Sequence, residues 1–177
     1  MIIKKTKFKD LFIVKQRNNK DKRGNLRETF NNKILKKNFV FNYCTTSKKN
    51  VLRGFHFQSK NKQSKYVNVL KGKILDVVID LRRSSKTFGK SFKIVLSKEN
   101  ALGLFIPKGF AHAYLSLEKD NIIYYQLDNY YNPKFECGII YNDPIVKIKW
   151  PKGKFIVSKK DKKLLTFKKF QLKFKSL

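Results

Sequence analysis

The sequence is poor in cysteine and has no long hydrophobic run. Its two cysteines, Cys44 and Cys137, are too few for a disulfide framework, and neither stands in a metal-ligand spacing with the other or with a histidine. We expect both to be reduced and to act as packing residues. No apolar run approaches the roughly 20 residues needed to cross a bilayer, and the start, MIIKKTKFKDLF, interrupts its hydrophobic residues with lysines instead of forming a signal-peptide core. The sequence therefore predicts a cytoplasmic protein.

Histidine is also scarce, and the common nucleotide and nucleophile motifs are missing. The two histidines, His56 and His112, lie more than fifty residues apart, form no His-x-His pair and have no nearby thiolate. Carboxylates would have to complete any metal site. The sequence has no Walker loop, no dinucleotide-binding glycine pattern and no nucleophile elbow. These absences argue against a metal centre, NTP hydrolysis, hydride transfer and serine-type acyl transfer.

Acidic residues are few, since 12 Asp and Glu stand against 42 Lys and Arg, for a formal net charge of +30. Such a charge attracts polyanions, which leaves a non-catalytic polyanion-binding or nucleic-acid-binding domain open as an alternative. The lysines are spread over nearly every segment, however, and form no basic helical stripe, RNA-recognition signature or zinc-finger spacing. Charge is therefore the sole support for a dedicated nucleic-acid partner, and we expect none.

The sequence does contain a series of short runs rich in β-branched and aromatic residues, separated by Gly, Asn, Asp and Ser. Its 177 residues, 41% of them hydrophobic, suit one domain over residues 1–177. The pattern predicts an all-β fold of eight strands, as in a double-sheet jelly roll. A basic C-terminal tail over residues 162–177 is expected to form a short helix, an arm or an extended end. The predicted strands cover residues 39–43, 51–58, 66–70, 73–81, 91–96, 102–106, 111–117 and 122–127.

Both histidines fall in predicted strands. His56 lies in VLRGFHFQ, where alternation places it on one face with Leu52 and Gly54, opposite Arg53. His112 lies in IPKGFAHAYLSL, where alternation gives the strand one apolar face and one face of polar and aromatic residues. His112 is on the second of these faces. A lone histidine in an apolar strand is more often a core residue than a catalytic one. Periodicity alone therefore leaves both readings open.

Six blocks of the sequence, in order, resemble the dTDP-4-dehydrorhamnose 3,5-epimerase family. They are DKRGNLRETF, NVLRGFHFQ, QSKYVNVLKGKILDVVIDLRRSSKTFGK, LSKENALGLFIPKGFAHAYLSL, YYQLDNYYNPKFECGIIYNDP and IKWP, and the match runs from about residue 21 to residue 161. The resemblance implies a cupin-type double-stranded jelly roll with small flanking helical or extended segments. It also implies a homodimer and an active site without metal or cofactor.

The reaction implied by this resemblance inverts the carbons on either side of the C4 ketone in a nucleotide-linked 4-keto-6-deoxyhexose. A base removes a proton next to the ketone, a donor stabilises the enolate oxygen, and a proton returns from the opposite face. By the match, His56 is the base, Asp161 in VSKKDK orients it, Lys65 stabilises the enolate and Tyr125 is the opposite-face acid.

The resemblance also implies a set of substrate-binding residues. Arginine suits a diphosphate because its planar guanidinium gives two directed, charged hydrogen bonds. Arg53 requires a twist or bulge at Gly54, or a contribution across a dimer interface, because simple alternation puts it opposite His56. The matched binding positions are Arg23, Glu28, Arg53, His112, Glu136 and Lys160.

The sequence departs from the family pattern in two places. Gly24-Asn25-Leu26 stands where the family commonly has a glycine followed by aromatic residues, and 41–45 reads FNYCT where the family commonly has Gln-x-Asn-x-Ser. Both departures concern substrate contacts and leave the four proton-transfer positions intact. Inversion of one centre only, or another nucleotide sugar, is therefore an alternative to the full 3,5-epimerisation. The alternative of another class is a non-catalytic β-domain that binds a sugar nucleotide or a polyanion.

Overall fold

Residues 1–175 are described by a computed structural model, in which they form fourteen strands, two short α-helices and two 3₁₀ turns. Helix α1 spans Asn32–Leu35 and helix α2 spans Phe167–Lys173, and the 3₁₀ turns are Pro133–Phe135 and Asp161–Lys163. The strands are β1 Ile2–Lys5, β2 Phe12–Lys15, β3 Arg17–Asp21, β4 Gly24–Glu28, β5 Phe41–Lys48, β6 Val51–Gln58, β7 Lys65–Lys71, β8 Lys73–Asp80, β9 Ser91–Ser97, β10 Leu102–Ile106, β11 Phe110–Ser116, β12 Asp120–Leu127, β13 Glu136–Gly138 and β14 Ile156–Val157.

Two sheets carry the architecture. The first has the strand order β1-β2-β10-β7-β12-β5, and the second has the order β13-β6-β11-β8-β9. Neighbouring strands along both orders pair antiparallel, and the short β14 adds a parallel pairing to β6. Strands β3 and β4 form a separate hairpin. Two facing antiparallel sheets confirm the predicted all-β jelly roll.

The core follows from the period-2 alternation of the strands. Val67 and Val69 of β7 point between the sheets into the main apolar cluster, whereas Tyr66 points outward to a smaller cluster that includes Leu35 of α1. The outer face of the second sheet is covered by α2, whose Phe167 and Phe170 are 3% and 0% exposed. The interior between the sheets is therefore shielded on both sides, and side chains aimed into it are largely removed from water.

All eight predicted strands are present, and those at residues 51–58 and 102–106 have the predicted ends. The strand predicted at 39–43 is displaced, since β5 runs from Phe41 to Lys48. The sequence did not predict the β3–β4 hairpin, because its mostly polar, exposed residues lack a buried face. Strands β1, β2, β13 and β14 were also missed, as runs that are interrupted by lysine or only two or three residues long.

The basic tail contains the helix that was one of its expected forms. Thr166 begins α2 by accepting a hydrogen bond from the Lys169 backbone N–H, a standard N-terminal cap. The last part of the predicted tail, residues 176–177, lies outside the described residues. Within residues 1–175, no helix is both long and apolar enough to cross a membrane.

Candidate active site

A cavity of about 300 Å³ opens between the two sheets. The second sheet contributes His56, which is 29% exposed, and the first sheet contributes Lys65 from β7 and side chains from β5. A substrate in this space would therefore have different chemical groups on its two sides. The lining residues are Phe41, Tyr43, His56, Phe57, Gln58, Gln63, Lys65, Tyr131 and Glu136.

A bulge in β6 places Arg53 and His56 on the same face of the sheet. His112 of β11 pairs with His56 and Tyr114 pairs with Arg53, so two steps along β11 match three steps along β6. Because directly paired residues share a face, Arg53 and His56 lie on the same side of the sheet. Leu52, which is 1% exposed, packs instead in the apolar cluster on the outer face. The prediction that Leu52 shares the face of His56 was wrong, and the predicted bulge at Gly54 reconciles Arg53 with it.

Glycine is required at this bulge. Gly54 has a φ of +114°, and a Cβ atom there would lie 2.5 Å from the His112 carbonyl oxygen and 2.7 Å from Ala113 Cα. Its backbone N–H donates to Asp161 Oδ2 at 3.2 Å. The bulge therefore contacts the carboxylate group described next.

His56 and Asp161 form a dyad, although they are 105 positions apart in the chain. His56 Nε2 and Asp161 Oδ1 lie 2.8 Å apart. The Asp161 backbone N–H donates to Ser158 Oγ at 3.0 Å, which fixes the start of the 3₁₀ turn. Burial raises the pKa of the Asp161 carboxyl, but the hydrogen bond and positive charge of His56 outweigh that effect and hold the pKa below its usual value. When the His56 ring is neutral, an Nε2–H that donates to the ionised Asp161 leaves Nδ1 as the basic nitrogen.

Lys65 lies on the opposite sheet from this dyad. Burial lowers the pKa of its ammonium group from 10.5 to about 8, while the negative charges of Glu136 and Asp76 act in the other direction. The ammonium group is therefore cationic at neutral pH and poorly hydrated. A cation in such a place interacts strongly with any negative charge that develops nearby.

Aromatic side chains form the rest of the first-sheet wall. Tyr125 of β12 is 3% exposed, and its ring stacks on that of Tyr43, with centroids 4.7 Å apart and an interplanar angle of 19°. Burial raises the pKa of the Tyr125 phenol well above its usual value, and a hydrogen bond with Thr45 opposes that effect. Tyr125 lies behind the immediate lining of the cavity, where Tyr43 stands.

Glu136 joins two other groups at the rim of the cavity. Its Oε2 accepts a hydrogen bond from the Tyr131 hydroxyl at 2.5 Å and another from Lys160 Nζ. Burial raises the pKa of Glu136, but the hydrogen bonds from Lys160 and Tyr131 and the charge of His56 outweigh it and lower the pKa overall. The structure therefore brings the predicted binding residues Glu136 and Lys160 together, close to His56.

His112 and Arg53 lie outside the immediate lining of the cavity. His112 is 5% exposed, and its Nε2 lies 2.9 Å from Oδ2 of the fully buried Asp76. Its ring meets the Tyr125 ring edge to face at a centroid distance of 6.0 Å. Arg53 of β6 is exposed, and its side chain lies beside the C-terminal end of β5, where its Nε donates to Ser47 Oγ at 3.3 Å. It lines a separate surface cavity with Lys48.

The remaining two predicted residues lie on the β3–β4 hairpin. The Arg23 side chain is 90% exposed and forms an ion pair with Asp21 at 2.6 Å. Glu28 accepts a hydrogen bond from Asn31 at 2.6 Å and lies 3.6 Å from the amino terminus. Neither lines the cavity around His56.

Sequence reasoning did not predict roles for Tyr43, Asp76 or Tyr131. Asp76 and Tyr131 lie within blocks that match the family, but simple alternation does not distinguish them from core or surface residues. Tyr43 lies in one of the two departures from the family pattern, and that departure was the available signal. Among the described residues, no three His, Cys, Asp or Glu side chains are close enough together to hold a metal ion.

A jelly roll that holds a His–Asp dyad, a half-buried lysine and phenols around one cavity defines a class of enzyme that moves protons on a small substrate. Comparison with known proteins identifies the family. The family model of dTDP-4-dehydrorhamnose 3,5-epimerase matches residues 5–169, a longer stretch than the one recognised from the sequence blocks. The chain belongs to this family of isomerases.

Relatives and solved structures agree over nearly the whole chain. The dTDP-4-dehydrorhamnose 3,5-epimerase of Methanothermobacter thermautotrophicus is 39% identical over 89% of this chain and 90% of its own length, and that of Escherichia coli K12 is 38% identical over 94% of both chains. The crystal structure of the Elizabethkingia anophelis enzyme superposes with a TM-score of 0.89 at 36% identity, over 96% of this chain and 97% of its own. A Legionella pneumophila 3,5-epimerase in complex with dTDP-4-keto-L-rhamnose gives 0.88 at 37% identity, over 92% and 90%.

Proposed function

We propose that this chain inverts C3 and C5 of a dTDP-linked 4-keto-6-deoxyhexose, the conversion of dTDP-4-dehydro-6-deoxyglucose to dTDP-4-dehydrorhamnose, through an enolate. The observation that carries the proposal is the placement of His56, held by Asp161, on one sheet and of Lys65 and Tyr125 on the other. Inversion at a carbon needs a proton acceptor on one face and a proton donor on the other. The two sheets supply these groups on opposite sides of the cavity, with His56 as the acceptor and Tyr125 as the donor.

His56 is the proposed base. Asp161 accepts the Nε2 proton at 2.8 Å and fixes the ring, so that Nδ1 is free to take a proton from the carbon next to the C4 ketone. The electron pair of the broken C–H bond forms a C=C bond to C4, the π pair of the C4 carbonyl moves to its oxygen, and negative charge develops there. Asp161 then stabilises the imidazolium that results.

Lys65 is the proposed stabiliser of the enolate oxygen. Its cation is half-buried on the cavity wall, so little reorganisation is needed when charge develops. One such preorganised donor contributes about 3 kcal/mol to transition-state stabilisation in other enzymes. Tyr125 is the proposed opposite-face acid, which returns a proton to carbon as the C4 carbonyl re-forms. The remaining matched residues, Arg53, His112, Glu136 and Lys160, are proposed to bind the substrate.

The binding site is proposed to be completed by a second copy of the chain. Arg23 and Glu28 lie on a hairpin outside their own cavity, so they can serve as binding residues only in another copy. We therefore expect a cytoplasmic homodimer, in which this hairpin reaches the partner's cavity. Sedimentation at micromolar concentration should give a dimer, and a monomer that is fully active would contradict this part of the proposal.

Proton exchange tests the reaction directly. In deuterated water, wild-type protein incubated with dTDP-4-dehydro-6-deoxyglucose should incorporate deuterium at C3 and C5, followed by NMR, and form the inverted sugar. His56→Ala should lose exchange at both carbons because the base is gone. Exchange at one carbon alone would identify a single-centre epimerase. Wild-type protein that exchanges neither proton would refute the proposed function.

A further inference from the structure

Tyr43 occupies a position where this chain departs from its family. By the sequence resemblance, residues 41–45 correspond to Gln-x-Asn-x-Ser in the family, and Tyr43 stands at the asparagine position. Tyr43 lies on β5, the edge strand of the first sheet, and its side chain lines the same cavity as His56 and Lys65. A large titratable side chain thus stands where the proposed reaction takes place.

Tyr43 and Tyr125 form a matched pair on the wall opposite His56. They are direct partners in the β5–β12 ladder, so both side chains point into the space between the sheets. Their rings stack with centroids 4.7 Å apart. The next row on the same face contains Phe41, Leu127 and Lys65, which places the Lys65 ammonium on the same wall.

The Tyr43 hydroxyl is uncommitted, in contrast to those of Tyr131 and Tyr114. Tyr131 donates its proton to Glu136, and the Tyr114 hydroxyl lies 3.0 Å from Thr45 Oγ1 and 2.9 Å from Ser47 Oγ. Among residues 1–175, by contrast, the Tyr43 hydroxyl forms no hydrogen bond, and only burial and nearby charges act on its phenol. A polar group that is largely buried and faces a cavity is available to a bound substrate.

We propose that Tyr43 is a second proton donor to the sugar, serving one of the two carbons beside the C4 ketone while Tyr125 serves the other. This role rests on the proposed function. In the step itself, the electron pair of the enolate carbon takes the Tyr43 proton, a C–H bond forms, the O–H bond breaks and the C4 carbonyl is restored. The phenolate then recovers a proton from solvent water, with the Lys65 cation on the same wall to stabilise it in the meantime.

The ionisation of Tyr43 is consistent with this role. Burial raises the pKa of its phenol to about 12, so the group is protonated throughout the neutral range and can act only as a donor. Burial raises the pKa of the Tyr125 phenol as well. Both phenols of the stacked pair are therefore proton donors, and the Tyr43 ring is the one that lines the cavity.

The test measures exchange and inversion separately at C3 and C5. Tyr43→Phe keeps the ring stack and removes only the hydroxyl. It should retain deuterium incorporation from the His56 side at both carbons and lose net inversion at one carbon by about 100-fold, within the range that removal of a general acid costs. Tyr125→Phe should show the loss at the other carbon. Tyr124→Phe, on the opposite face of the same strand, is the matched control and should behave as wild type.

Tyr43→Asn installs the residue that the family commonly has, and it separates chemistry from space filling. If Tyr43 is a donor, this variant should show the same carbon-specific loss as Tyr43→Phe. Full inversion at both carbons in either variant would overturn the proposal, and so would equal loss of exchange and inversion, which indicates a structural role. If wild-type protein shows neither exchange nor inversion, the proposed function itself fails; the carbon-specific pattern cannot then arise.

Discussion

The charge on Lys65 should control the alkaline limit of activity. Burial holds the pKa of its ammonium group at about 8 instead of 10.5, which corresponds to roughly 3 kcal/mol of lost stabilisation of the charged form. At pH 7 about 90% of the molecules carry the cation, and at pH 9 about 10% do. Because the neutral amine cannot stabilise an enolate by charge, kcat/KM should fall about tenfold for each pH unit above 8.

The assay is a pH profile of kcat/KM between pH 6 and 10, because this parameter reports ionisation of the free enzyme. Lys65→Arg is the informative variant, since guanidinium stays protonated in this range and its profile should be flat above pH 8, at a reduced level. Lys65→Met should lose about 100-fold or more at neutral pH. An alkaline decline that persists unchanged in Lys65→Arg, or a wild-type profile that is flat to pH 10, would refute the assignment.

Stability should change in the opposite direction over the same pH window. The unfolded chain keeps this proton up to about pH 10.5, whereas the folded chain releases it near pH 8. The unfolded state therefore binds more protons between these values, and the contribution of Lys65 to the free energy of unfolding rises with pH. Urea melts that compare wild type with Lys65→Met isolate this contribution. If activity falls above pH 8 while the contribution of Lys65 to the free energy of unfolding does not fall, the activity is lost because Lys65 loses its charge and not because the protein unfolds.

Two further predictions concern the dyad and the bulge. Asp161→Asn should lower kcat by about 100- to 1,000-fold with near-wild-type folding, because an amide cannot balance the charge of the imidazolium. The control is Lys162→Ala, at the exposed neighbouring position, which should leave kcat unchanged. Comparable rates in both variants would contradict the role of the dyad. Gly54→Ala should destabilise the fold by about 2 kcal/mol or more, because both its φ and its Cβ position are unfavourable. Gly24→Ala, at φ +134° with no heavy atom within 4 Å, carries the backbone cost without the overlap, so equal urea midpoints for the two variants would contradict the steric argument.

The sequence predicted the strands well where one face is buried and turns are marked. Strand β6 was predicted with its observed ends because Val51–Gln58 is an apolar, aromatic run that is bounded by polar residues. The β3–β4 hairpin was missed because its residues are mostly exposed, so no hydrophobic alternation marks it. Hydrophobic alternation arises where one face of a strand is buried, so a strand that is exposed on both faces cannot be recognised from it.

The site was predicted in part, and by resemblance more than by pattern. His56 and Asp161 are 105 positions apart, and no local rule joins them, yet the fold brings them within 2.8 Å. Tyr43 was seen only as a departure from the family, because a tyrosine on an edge strand has no signature that tells a cavity wall from a surface. Its pairing with Tyr125 depends on the β5–β12 register, which the sequence leaves open.

The bulge in β6 links these observations. Alternation fails at Gly54 because one additional residue there reverses every side chain that precedes it in the strand. That reversal puts Arg53 on the face of His56, and the Gly54 backbone N–H binds Asp161 Oδ2 while Oδ1 of the same carboxylate holds the His56 ring. The bulge that interrupts the alternation thus helps to hold Asp161, and Asp161 in turn holds the proposed base, His56. Gly54→Ala should therefore reduce kcat even at temperatures where the variant remains folded, whereas a change confined to stability would show that the dyad is positioned without the bulge.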